Sequence, residues 1–302
     1  MLKRGKAKTF IVNRFIDRTI VQINEVLDQN LPSTLNKPIT LHKAMRHLMF
    51  AGGKRLRPVL CAAAADACGG TVKNSLIFGA AIECVHTQSL IHDDLPCMDD
   101  DDFRRGVPAC HVAFGEGLAI LAGDALLTLA IQLVNQGKPN KRYKQFDYVR
   151  EMVTAVGHSQ MIAGQVVDLE LEGKLVSSTQ VKYIHERKTA SLLTCALRLG
   201  GMSANATPRE ILSLTKFGQL IGLAYQITDD ILDETQSSDN LGKTAKKDSC
   251  VNKATYPSVF GLSKSREIAT ELTVQACTFL KPLKGRSTKL KELANLLLMR
   301  DR

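Results

Sequence analysis

Residues 217–235 read FGQLIGLAYQITDDILDET, and this stretch decides the fold. Wound as an α-helix, it places Asp229, Asp230 and Asp233 (i, i+1, i+4) on one face, with Gln226 at i−3 beside them. The flanking residues are apolar, so a solvated acidic face explains little. Carboxylates in such surroundings must be protonated, paired or metal-bound. Helical periodicity dominates the rest of the chain too, and no alternating strand pattern of useful length interrupts it. The prediction is an all-α protein.

Working outward, Thr207, Pro208 and Glu210 form a T-P-x-E capping box with proline at the first helical position, which marks a helix start. Breaks are expected at Gly69-Gly70, Gly137 to Pro139, Gly173 and Gly200-Gly201. This punctuation gives about ten helices with no long linker and no short repeat. A single domain over residues 1–302 is the simplest reading, and that length can bury a substantial core.

A second acidic cluster lies far upstream, where residues 91–106 read IHDDLPCMDDDDFRRG. Two carboxylates ~6 Å apart at an effective dielectric of ~20 repel by roughly 3 kcal/mol, so such density near a core calls for cations. Pro96 should end the preceding helix, with Asp93 and Asp94 in its last turn and Asp99 on the loop beyond. Hard oxygen ligands without His or Cys companions suit magnesium and not zinc. For Asp100 to Asp102 a solvated acidic loop is an equally good description.

The chain is basic, with a formal charge of +10. That favours an anionic partner: nucleic acid, a phosphate-bearing metabolite or an acidic membrane surface. Nucleic acid is disfavoured, because aromatics are 5%, Trp is absent and no binding module is recognisable. AGGKRLRP (51–58) sets Lys54, Arg55 and Arg57 beside paired glycines, which allow close approach of a ligand such as a diphosphate. Its glycine spacing is not that of a P-loop. Further basic residues recur near turns: Lys188 with Thr189, then Lys243 and Lys253.

No membrane span is expected, since the longest apolar run, Leu118 to Val134, contains Asp124, Thr128 and Gln132. The basic N-terminus leads into a charged, helically periodic segment unlike a signal peptide. Eight cysteines without a CxxC pair are expected to be reduced thiols of a cytoplasmic protein.

Together these residues resemble the trans-prenyl (short-chain polyprenyl) diphosphate synthases over nearly the whole chain. The motifs that carry the likeness are AGGKRLRP, SLIHDDLPCMDDDDFRRG, AGDALL, GQVVDLE, HERKTA and QITDDILD. The six-residue DDxxxxD spacing and the LLLMRDR tail look most like bacterial farnesyl diphosphate synthases, and plant-type geranylgeranyl diphosphate synthases share the spacing. This chain departs at Val107 and Ala109, where many relatives carry Lys and Thr.

The resemblance implies an all-α bundle around a central cavity and a magnesium-dependent prenyltransferase. It would condense isopentenyl diphosphate with allylic diphosphates to make farnesyl diphosphate, with geranylgeranyl diphosphate as the alternative product. Asp93, Asp94, Asp99, Asp229, Asp230 and Asp233 would hold several magnesium ions. Arg104, Lys188, Thr189, Gln226, Lys243 and Lys253 would contact the allylic substrate. Lys54, Arg57, His86 and Arg105 would bind isopentenyl diphosphate. Gln88 and Ser89, just before the first aspartates, would set chain length, and Gln165 and Asp168 would be either supporting or plainly structural. A homodimer is the favoured assembly. A terpene cyclase normally lacks the second aspartate motif, and a silent partner subunit would have lost an aspartate or arginine.

Overall fold

The chain is helical throughout its described length. The computed structural model describes residues 2–235, 255–283 and 286–299, with side chains from residue 11. The helices are α1 (Leu2–Asn30), α2 (Ile39–Phe50), α3 (Leu56–Ala67), α4 (Val72–Asp93), α5 (Cys110–Phe114), α6 (Glu116–Asn135) and α7 (Gln145–Val156). They continue as α8 (Met161–Leu171), α9 (Ser178–Ile184), α10 (Ser191–Ser203), α11 (Pro208–Thr235), α12 (Tyr256–Phe260), α13 (Leu262–Phe279) and α14 (Thr288–Leu298). A π-helical turn, His185–Ala190, joins α9 to α10. These fourteen exceed the expected ten or so, and the short α5, α9 and α12 are too brief to display a period. The only strands among the described residues are β1 (Phe103–Arg104) and β2 (Val107–Pro108), an antiparallel pair.

α4 buries its apolar residues against α1, α3, α6 and α10, which pack around it. Ile82, Phe78 and Ile91 of α4 are fully buried, and Phe78 meets Tyr148 of α7 with ring centroids 4.7 Å apart. α11 lies against α10 and α13, and its Phe217 and Ile221 fill a second core with Leu60 of α3. α11 opens with the expected capping box: Glu210 accepts from Thr207 N–H at 2.8 Å, and Thr207 accepts from Glu210 N–H at 3.3 Å.

Two expectations need correction. Gly200-Gly201 does not break a helix but lies inside α10. A Cβ on Gly200 would stand 2.1 Å from the Cys61 carbonyl oxygen, so this glycine lets α10 lie directly on the α3 backbone. The polar residues of the 118–134 run also fail to interrupt it. α6 is one unbroken helix, long and apolar enough to cross a bilayer, with a mean hydropathy of 1.9. Asp124, Thr128 and Gln132 share its exposed side with Ile120 and Leu121, while Ala119, Ala122, Leu126 and Leu133 are buried against the core.

Candidate active site

α4 and α11 each bring aspartates to one cavity of about 680 Å³. Asp93 stands at the end of α4, where the chain turns at Asp94 and runs into the loop carrying Asp99. Asp229 comes from α11 opposite, and Lys188 and Thr189 enter from the π-helical turn. Arg57 from α3, His86 from α4 and Arg104 from β1 line the other side. One cavity thus receives acids from two walls and cations between them.

The wide turn is clamped on both sides by glycine. A Cβ on Gly164 of α8 would lie 2.2 Å from the Lys188 backbone nitrogen, and one on Gly222 of α11 would lie 2.4 Å from the Ala190 Cβ. π-helical turns recur at functional sites because they displace side chains from the regular helical register. Here the displaced residues are Lys188 and Thr189. Lys188 donates to Asp168 at 2.8 Å, and Thr189 donates to Gln226 at 2.8 Å.

Electrostatics sort the carboxylates. Burial pushes the Asp93 carboxyl up to about 6, and the charges of Asp99 and Asp94 add to it; Lys188 and Arg104 offset only part. Burial alone would lower the Lys188 ammonium, but Asp93, Asp168 and Asp99 overcome it and raise its pKa. His86 is held well below its ordinary value, first by burial and then by Arg57, Arg105, Arg104 and Arg55, so it is neutral at pH 7.

Several expected site residues are placed elsewhere. Asp94, expected as a metal ligand, is 0% exposed and turned from the cavity to Arg104, which donates to it through Nε at 2.9 Å and also through Nη2. Arg104 donates to Asp101 as well, at 2.9 Å, so Asp101 is not part of a solvated loop, whereas Asp100 and Asp102 are exposed. Asp230, another expected ligand, lines the cavity but accepts from His185 at 2.8 Å, the Tyr256 backbone N–H at 3.0 Å and Gln226 at 3.1 Å. Those donors fix its oxygens as an organiser of His185 and Gln226. Asp233 is buried and does not line the cavity.

Arg105 was expected on isopentenyl diphosphate. It donates instead to the Leu48 carbonyl at 2.8 Å and pairs with buried Glu83 at 3.4 Å. Gly53, with φ of 115°, gives its close approach to that guanidinium and not to the cavity. Arg55 is buried on Glu83 at 2.8 Å, and exposed Lys54 does not line the cavity. Lys243 and Lys253 lie outside the described residues.

Gln88 and Ser89 line the cavity below Asp93, as expected. Sequence reasoning missed what holds Gln88. Its side-chain N–H donates to His92 Nδ1 at 3.1 Å, and His92 Nε2–H donates to the Ile120 carbonyl of α6 at 3.1 Å. Gly123 leaves room for that imidazole: a Cβ there would meet His92 Nε2 at 2.0 Å. Asp124, inside AGDALL, and Tyr225, beside Gln226, also reach the cavity, although neither was singled out as a site residue.

The donor set fits magnesium: Asp93, Asp99 and Asp229 offer hard oxygens, and Asp93 in particular is short of cationic compensation. Among the described residues no three of these carboxylates converge into a closed ligand cluster.

Comparison with known proteins agrees with this geometry. The family profile described as polyprenyl synthetase matches residues 38–286. The large subunit 1 of the chloroplastic heterodimeric geranylgeranyl pyrophosphate synthase of Arabidopsis thaliana is 43% identical over 91% of this chain and 75% of its own. The chloroplastic geranylgeranyl pyrophosphate synthase of Capsicum annuum is 41% identical over 95% of this chain and 78% of its own. Among solved structures, an FPP/GFPP synthase from Zymomonas mobilis superposes with a TM-score of 0.85 at 30% identity, covering 96% of this chain and 99% of that one. A geranyltransferase from Helicobacter pylori, complexed with magnesium and isoprenyl diphosphate, gives 0.80 at 30% identity, covering 96% of each. With its profile match spanning both aspartate motifs and the cavity between them, this chain belongs to the polyprenyl synthetase family and is a prenyltransferase.

Proposed function

We propose that the protein condenses isopentenyl diphosphate with allylic diphosphates and that its product is geranylgeranyl diphosphate. The observation that carries the chemistry is the single cavity walled by Asp93 and Asp99 on one side, Asp229 on the other, and Arg57, Arg104 and Lys188 between. Bound magnesium would supply Lewis-acid stabilisation of a leaving diphosphate, as the magnesium-bound relative suggests. Lys188 and Arg104 hold the allylic diphosphate and stabilise the charge it gains as its C–O bond breaks. Arg57 holds isopentenyl diphosphate, with neutral His86 free to hydrogen-bond to it. The double bond attacks the allylic cation, and a proton leaves, with diphosphate as its acceptor. Leu127, Met161 and Ile162 supply the apolar part of the wall and keep water from the cation.

For product length the named relatives favour the geranylgeranyl alternative over the farnesyl expectation. Relatives more than 40% identical are named geranylgeranyl synthases, whereas the structure named an FPP/GFPP synthase is 30% identical. Gln88 supports the longer product, since a linear amide held aside by His92 leaves more depth than an aromatic ring would. Incubation with isopentenyl diphosphate plus dimethylallyl, geranyl or farnesyl diphosphate, followed by chromatographic sizing, tests this. Wild type should give mainly geranylgeranyl diphosphate, and Gln88→Tyr mainly farnesyl diphosphate. Farnesyl diphosphate as the wild-type end product would refute the length assignment and leave the reaction standing.

We also propose that two copies associate through the exposed side of α6, where Ile120 and Leu121 are 44% and 55% exposed. Sedimentation should give twice the 33.1 kDa chain mass, and Leu121→Glu should halve it. A single-chain mass for the wild type would overturn the pairing.

A further inference from the structure

Behind the π-helical turn lies a second cavity of about 820 Å³, larger than the aspartate cavity and sharing none of its lining residues. It is walled by α7, the turn itself, α10, α11 and α13. Five cationic side chains and two carboxylates face it. Arg198 is committed to Glu151, at 2.5 and 2.8 Å, and Lys182 sits 3.8 Å from Glu186. Arg187 and Lys216 have no carboxylate partner among the described residues.

Arg187 is positioned and not merely present. Its guanidinium lies 4.9 Å above the Tyr183 ring, which fixes its plane, yet its Nε is buried without a hydrogen-bond partner among the described residues. The Oγ1 of Thr194, a residue only 8% exposed, is buried and unpartnered in the same way. Buried polar atoms are nearly always satisfied, and both orphans belong to residues that line this cavity, so each asks for an acceptor. The acceptor must be compact, negatively charged and rich in oxygen lone pairs, because Arg187 is a fork donor and Thr194 a single hydroxyl.

We propose that this rear cavity is a second anion site, which takes a small phosphate-type oxyanion on Arg187 and Thr194, with Lys216 at its mouth. Arg187 directly precedes Lys188, so an anion bound behind the turn bears on the residue that faces the substrate cavity in front. The binding claim is independent of the reaction. Only this link to Lys188 rests on the prenyltransferase reading.

Calorimetric titration of the magnesium-free full-length protein tests it, with inorganic phosphate in one arm and inorganic diphosphate in the other. Wild type should show a rear class of site besides front binding, and Arg57→Ala should weaken only the front site assigned to isopentenyl diphosphate. Arg187→Gln should weaken the rear class roughly ten- to a hundred-fold, as expected for one charge-assisted hydrogen bond. Thr194→Val, nearly isosteric, should weaken it several-fold. The arm with the tighter rear binding identifies which free oxyanion fits. Arg187→Gln should keep its fold and its front binding, so loss of the rear anion is read separately from the reaction. A single class in wild type that Arg57→Ala abolishes, or unchanged titrations for both Arg187→Gln and Thr194→Val, overturns the proposal.

Discussion

Asp93→Asn should cost roughly a hundred-fold or more in turnover while making the metal-free protein more stable. Loss of a group that only supports a metal ligand typically costs 10- to 100-fold, so a ligand itself should lie at or beyond that range. The stability gain follows from the carboxyl that burial and neighbouring acids raise from 3.8 to about 6. A carboxyl whose pKa rises on folding holds its proton more tightly in the folded state. Stability therefore falls as pH climbs from about 4 to about 6 and stays lower above that. Two units correspond to roughly 2–3 kcal/mol, and asparagine removes that penalty at neutral pH. Melting curves of the two apo proteins at pH 7.5 should separate by several degrees and converge towards pH 4. Magnesium with diphosphate should then raise the wild type more than the variant. Near-wild-type turnover at saturating magnesium would remove Asp93 from the metal site.

Gly164→Ala should be the most damaging single methyl in the active-site wall. Its Cβ would lie 2.2 Å from a backbone nitrogen and 2.8 Å from the Lys188 Cα, and neither can swing aside as a side chain end can. Either α8 withdraws or the π-helical turn moves, at a cost of roughly 1–3 kcal/mol for overpacking. Moving the turn carries Lys188 off Asp168 and Thr189 off Gln226. Turnover should drop at least ~10-fold with KM for the allylic substrate raised, because a misplacement of about 1 Å can cost a hundred-fold. Gly117→Ala, at a helical glycine of ordinary φ whose Cβ would meet nothing within 4 Å, is the comparison. Kinetics of Gly164→Ala equal to wild type would show that the turn does not position Lys188.

The helical class was legible because the apolar periods of the longer helices survive in any one sequence, and α5, α9 and α12 were not because they are too short to show one. Asp93, Asp99 and Asp229 were legible as a pair of motifs, and His86 only through the family resemblance. The fates of Asp94, Arg105 and Arg55 were hidden. Their partners, Arg104 and Glu83, are chosen by tertiary packing, and Glu83 sits mid-helix without any local signal. The same holds for the wide turn. HERKTA carries no marker of a π-helix, and the conformation depends on glycines at 164 and 222 that touch it only in three dimensions.

That turn amounts to one residue more than an α-helix would use over the same rise. Taken out, α9 and α10 would become a single regular rod from Ser178 to Ser203, better hydrogen-bonded than the present pair. One residue in such a rod is worth about 100° of rotation. Everything ahead of the excision would swing round the axis by that amount, and His185 would leave the 2.8 Å contact that ties it to Asp230 on α11. The supernumerary residue is thus a phase shifter: it lets one continuous rod aim His185 and Thr189 at the same neighbouring helix. A shortened sequence could gain in helicity and still lose the reaction.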